Sequence, residues 1–185
     1  MIKWWIGRKL AAFEREFDYD MSYARDVLAA DLGAFMKFAR AAELSGYRKG
    51  VPADVAFAVK LVGTLVEDCG PCTQLMVTMA LKEGVDRRTI AAVLRGDLDA
   101  LSPDVRLGVE FGRASLAHDP AADPLREEIV RRFGQRGLVS IAFCLVSARL
   151  YPTLKYALGH GRSCQRVVVA GEPIRMHARP EEAAA

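Results

Sequence analysis

Apolar residues recur at three- and four-residue intervals along most of the chain. No stretch alternates apolar and polar positions for long enough to make a convincing sheet. The spacing predicts a short amphipathic helix over residues 3–17. A long helix should follow, capped by Asp20 or Ser22 and running to about Leu44, with Leu28, Leu32, Phe35, Ala39 and Ala42 on one face. Turn formers and charge in Ser45-Gly46-Tyr47-Arg48-Lys49-Gly50-Val51-Pro52 then break the pattern. Residues 53–67 are apolar nearly all round, as in a helix buried on several sides. Cys69-Gly70-Pro71-Cys72 interrupts it. Pro71, with no N–H to donate, suits the first turn of a new helix that reaches about Glu83 and stops at Gly84. Asp86 is placed to cap a short helix ending before Gly96. Ser102-Pro103 opens another to about Ala117, and Asp119-Pro120 ends it. Residues 124–133 and 137–158 supply two more helices, the second with a potential kink at Pro152. Val167-Val168-Val169 is the one strand-like run, residues 180–185 read as a loose tail, and no repeat recurs at a fixed period. The expected architecture is an all-α bundle.

Composition narrows the function without naming it. The 185 residues are 51% hydrophobic and 26% charged, enough for a core and too apolar for wholesale disorder. A net charge of +3 is too mild for a phosphate-tracking surface, so no nucleic-acid partner is expected. Charges interrupt Met1-Ile2-Lys3-Trp4-Trp5-Ile6-Gly7-Arg8-Lys9 at once, which does not read as a signal peptide. The most apolar stretch, residues 138–151, contains serines and Arg149 and reads as a buried core helix, not a bilayer span. The expected compartment is the cytoplasm. There the four cysteines are expected to be chemical or incidental, not a disulfide framework.

Cys69 and Cys72 are the one constellation with chemical content. Three residues apart at the start of a helix, their side chains share a face and can close a disulfide. The unpaired N–H groups and partial positive charge of a helix N-terminus favour a thiolate, most of all at Cys69, nearest the end. Thioredoxins carry the same four residues, but after a strand in a βαβ unit. Here the preceding residues read as helix, which rejects that fold.

Other segments around the pair carry a second resemblance. Leu65-Val66-Glu67-Asp68-Cys69-Gly70-Pro71-Cys72 is followed by Ala80-Leu81-Lys82-Glu83-Gly84-Val85, then Leu101-Ser102-Pro103 and Phe111-Gly112-Arg113-Ala114. Phe133-Gly134 and Tyr156-Ala157-Leu158-Gly159 close the series. In that order the segments resemble the AhpD-like family of alkylhydroperoxidases and carboxymuconolactone decarboxylase relatives. The resemblance divides the chain into an N-terminal helical extension over residues 1–50, an AhpD-like helical domain over 51–160, and a C-terminal extension and tail over 161–185. It implies a thiol-based oxidoreductase acting on a peroxide or a disulfide, with a thiol electron donor, no cofactor or metal, and a homo-oligomeric state. It also implies that Cys72 attacks and Cys69 resolves. The family's peroxidases keep a glutamate twelve residues before the first cysteine and a histidine four after the second. Here those positions are Phe57 and Met76, so peroxide turnover is expected to be weak. Glu67, with Asp68 beside it, is the candidate substitute base, although an anionic neighbour also raises a thiol pKa. The alternative is a non-catalytic oligomeric scaffold or small-molecule-binding protein of the same fold.

The remaining reactive residues read as structural. Cys144 lies in Ile141-Ala142-Phe143-Cys144-Leu145-Val146 and is expected in the core. His160 and Cys164 are the nearest candidates to complete a zinc site with the cysteine pair, and nothing in the sequence brings them to it. His118 and His160 fall at helix ends and His177 lies in the tail, while Met76 and Met79 read as core. Trp4 and Trp5, with Lys3, Arg8 and Lys9 around them, are expected to dock on a neighbouring subunit in preference to a membrane surface.

Overall fold

A computed structural model describes residues 1–161 and 166–176. These residues form eight helices, α1 (Ile2–Phe17), α2 (Ser22–Ala30), α3 (Leu32–Gly46), α4 (Ala53–Val66), α5 (Gly70–Lys82), α6 (Arg87–Arg95), α7 (Pro103–Leu116) and α8 (Ala122–Ala157). A single antiparallel hairpin follows, β1 (Arg166–Val169) and β2 (Glu172–Arg175), with Val167 opposite Ile174 and Val169 opposite Glu172. The fold is all-α, as the periodicity predicts. The hairpin uses the strand period of two: Val167, Val169 and Ile174 are buried and Val168 faces out. Gln74 of α5 receives it edge-on, donating to the Val168 carbonyl at 3.0 Å and accepting from the Val168 N–H at 2.7 Å.

The long helix expected from Asp20 or Ser22 to Leu44 is two helices. Asp31 adopts an extended conformation (φ −156°, ψ 125°) and its carboxylate accepts the Ala34 N–H, capping α3. The apolar face continues through the break because both segments pack on the same surface, and this hid the cap inside an unbroken period. The two helices expected over 124–133 and 137–158 are both present, meeting within α8 at a kink where Gly134 has non-helical backbone (φ 70°, ψ 176°), a conformation open to glycine and costly for other residues.

The main core gathers around α4, whose buried residues Val55, Phe57, Val59, Leu61 and Val62 point in several directions, as an all-round apolar helix requires. Small residues set the approach distances. A Cβ added at Gly63 would meet the Ala148 Cβ of α8 at 2.7 Å, and one added at Gly108 of α7 would meet Val55 at 3.0 Å. A second cluster, Leu10, Tyr19, Tyr23, Ala24, Leu28 and Phe35, belongs to α1–α3 and the turn between α1 and α2, and packs on Leu75, Tyr151 and Leu154. The first three helices thus form a layer over α5 and α8. Among the described residues, α8 alone is long and apolar enough to cross a membrane by length and composition; Ile129, Ile141, Cys144, Leu145 and Ala148 on it are buried within the bundle.

Candidate functional site

The turn between α4 and α5 is built to deliver the cysteine pair. Glu67 keeps helical angles. Asp68 turns into the left-handed region (φ 49°), which aspartate tolerates better than most residues. Cys69 is then extended (φ −105°, ψ 91°) as the N-cap of α5, with Gly70 and Pro71 opening the helix behind it. The Tyr156 hydroxyl donates to the Asp68 carbonyl at 2.8 Å and steadies the turn from α8. The Cys69 carbonyl accepts both the Thr73 N–H (2.9 Å) and the Thr73 hydroxyl (3.1 Å). Cys69 and Cys72 lie with their sulfurs at disulfide-bonding distance and their Cα atoms 5.3 Å apart. Both are deeply buried, 1% and 3% exposed respectively.

Cys72 lines a partly open cavity of about 720 Å³ between the N-terminal layer and α4, α5 and α8. Its walls are mostly apolar, with Phe13 and Phe38 supplied by the N-terminal layer and Leu75 and Met79 by α5. Phe57 and Met76, the positions where the resembling peroxidases keep a glutamate and a histidine, line this cavity together with Cys72. Both side chains share the cavity wall with Cys72, and neither carries a group that could take its proton.

Polar contact to Cys72 comes from elsewhere. The Tyr19 hydroxyl, in the turn after α1, lies 3.6 Å from Cys72 Sγ in a buried contact. Lys155 Nζ of α8 donates to the Tyr19 hydroxyl at 3.4 Å and sits 4.6 Å from the centroid of the Tyr19 ring. Lys155 itself is only 2% exposed. Burial pushes the Tyr19 phenol up to about 12, partly offset by a hydrogen bond with Tyr23, so Tyr19 remains a proton donor throughout the neutral range. Tyr23 and Tyr151, alongside it, are raised in the same way by burial.

The other candidate residues fall as follows. The Glu67 carboxylate accepts from Arg149 Nε (2.5 Å) and from the Thr153 hydroxyl (3.2 Å), joining the α4–α5 turn to α8. Cys144 is buried in the core and its thiol is pushed up by that burial. His160 is held between Asp26 (Nε2 to Oδ2, 2.7 Å) and Ser22 (Nδ1 to Oγ, 3.0 Å), pinning α2 to the end of α8. Cys164, His177 and the tail over 180–185 lie outside the described residues. No group of His, Cys, Asp and Glu among the described residues is arranged to hold a metal ion. Sequence reasoning missed Tyr19 and Lys155. They are 136 positions apart, and only the packing of the N-terminal layer on α8 joins them. A lysine inside an otherwise apolar helical stretch was the one faint signal. No protein-family model, curated protein or solved structure matches the chain, so the functional reading rests on this geometry.

Proposed function

We propose that the protein is a thiol-dependent oxidoreductase of AhpD-like kind, in which Cys69 and Cys72 cycle between dithiol and disulfide. The observation that carries the reading is a cysteine pair at bonding distance on a helix N-terminus, with Cys72 on the wall of a mostly apolar cavity. With a peroxide, the Cys72 thiolate attacks one oxygen and the O–O bond breaks. Cys72 becomes a sulfenic acid and the leaving alkoxide takes a proton to give the alcohol. The Cys69 thiolate then attacks the Cys72 sulfur, closing the disulfide and expelling hydroxide, which leaves as water. A small dithiol donor returns both sulfurs to thiols and is itself oxidised to a disulfide. A disulfide substrate enters the same cycle by direct exchange. This reading assigns the cycle to the reducing cytoplasm and to a homo-oligomer, the exposed Trp4 and Trp5 (57% and 60%) supplying apolar surface for a second copy.

A second reading is favoured by one observation, the size and apolar character of the cavity: a binding protein for a hydrophobic small molecule, with inert cysteines. Steady-state consumption of an organic hydroperoxide with dithiothreitol as donor separates the two. The oxidoreductase turns over slowly, because Phe57 and Met76 supply no base, and Cys72→Ser removes the turnover. Peroxide and disulfide consumption no faster than that of the Cys69→Ser/Cys72→Ser protein leaves only the binding reading.

A further inference from the structure

We infer that Tyr19, oriented by Lys155, is the hydrogen-bond donor that stabilises the Cys72 thiolate, in place of a base at Phe57 or Met76. The inference rests on the thiol reading above and adds which residues set the reactivity of the attacking sulfur.

Hydrogen-bond capacity sets the direction of each contact at Tyr19. A phenol has one proton and two lone pairs. An ammonium has only donors, so the contact from Lys155 Nζ to the Tyr19 oxygen occupies one lone pair. The sulfur of the closed Cys69–Cys72 disulfide carries no proton, so across the 3.6 Å contact with Cys72 Sγ the Tyr19 hydroxyl is the donor. A donor already turned to the sulfur favours its charged form. Burial strengthens the effect, since a hydrogen bond to an ion is worth more where water is excluded. Neither residue acts as a base. Tyr19 touches the reacting sulfur, and Lys155 is a positioning residue that acts through it.

The neighbouring titratable groups are consistent with this arrangement. Asp20 is held below the usual carboxylate range first by the Ser22 N–H and, more weakly, by the charges of Lys155 and His160, which places a carboxylate within reach of the Lys155 charge. Tyr151 faces the same phenol from α8, His160 is held by Asp26, Glu14 bonds the Met21 N–H, and Glu67 is turned away to Arg149. The device spans two parts of the chain, because Tyr19 comes from the N-terminal layer and Cys72 and Lys155 from the helices beneath it.

The test is a pH titration of thiolate absorbance in reduced Cys69→Ser protein, taken as the difference from Cys69→Ser/Cys72→Ser so that Cys72 alone is read. Tyr19→Phe keeps the ring and removes the donor, and should raise the Cys72 midpoint by about one pH unit. Lys155→Met should raise it in the same direction. Adding it to Tyr19→Phe should move the midpoint little further, because the two links act in series. A Cys72 midpoint unmoved by Tyr19→Phe overturns the proposal. So does a Lys155→Met shift as large without Tyr19 as with it. Should Lys155→Met fail to fold, Tyr19→Phe alone decides. Failure here is distinct from failure of the thiol reading, which would appear as no reversible Cys69–Cys72 disulfide in the otherwise unaltered protein.

Discussion

Glu67 stands two residues from the first cysteine, yet its carboxylate is committed to Arg149 and Thr153. A half-buried ion pair of this kind contributes roughly 0.5–1 kcal/mol. Glu67→Gln should therefore lower the denaturation free energy by about that amount, and the Cys72 titration midpoint should stay where it is. A midpoint that moves would return Glu67 to the thiol chemistry. Asp20 makes the complementary case for pH. Its folded-state pKa lies below its ordinary value, chiefly through the Ser22 N–H, so the stability it adds is present above the ordinary carboxylate pKa and lost as pH falls through the depressed one. Asp20→Asn should flatten the acid limb of stability measured from about pH 5 downwards. At this scale the cysteine pair was legible, because a fixed spacing on one helix needs no tertiary knowledge. Tyr19 and Lys155 were not, because their meeting depends on how three helices lie over two others.

Helices answered to the sequence where a cap or breaker stood alone, and misled where a hydrophobic face ran through one. Asp86, the expected cap, and Ser102, in the dipeptide expected to open a helix, cap α6 and α7, each accepting a backbone N–H from the first turn. Asp31 performs the same task at α3, but Leu28, Leu32 and Phe35 on either side keep the helical period. Only the extended backbone at Asp31 reveals the break. Asp31→Ala should cost about 1 kcal/mol by chemical denaturation, the usual value of an N-cap. The α4–α8 contact is set by absence of volume. A Cβ at Gly63 would meet Ala148 at 2.7 Å, and with the surrounding core close-packed the helices must separate to admit it. Gly63→Val should destabilise by about 1–3 kcal/mol, and a cost below about 0.5 kcal/mol would show that this contact yields more than a packed core should. Nothing in an unaligned sequence marks Gly63 as a contact glycine, since the same residue in a helix interior also reads as a weak point.

The whole molecule is a bundle with a lid-like layer of three helices that supplies half of a cavity wall. The layer brings Tyr19 to Cys72 and walls one side of an apolar volume large enough for a sizeable ligand. Trp4, Trp5 and Ile2 remain on its outer surface, and light scattering should find a particle larger than a single 20.3 kDa chain. The sequence made the all-α class legible because helical periodicity is local. The cavity was illegible because its wall draws on residues from Lys9 to Pro152, which no window of the sequence places together. If Cys69 and Cys72 form a reversible redox pair, equilibrating the protein across a series of thiol–disulfide buffers and mapping the linked peptides at each potential should give a single two-electron transition, with one linked peptide containing Cys69 and Cys72 and with Cys144 free throughout. Thiols at both positions across the whole series, or linkage dominated by Cys144 and Cys164, would contradict that pairing.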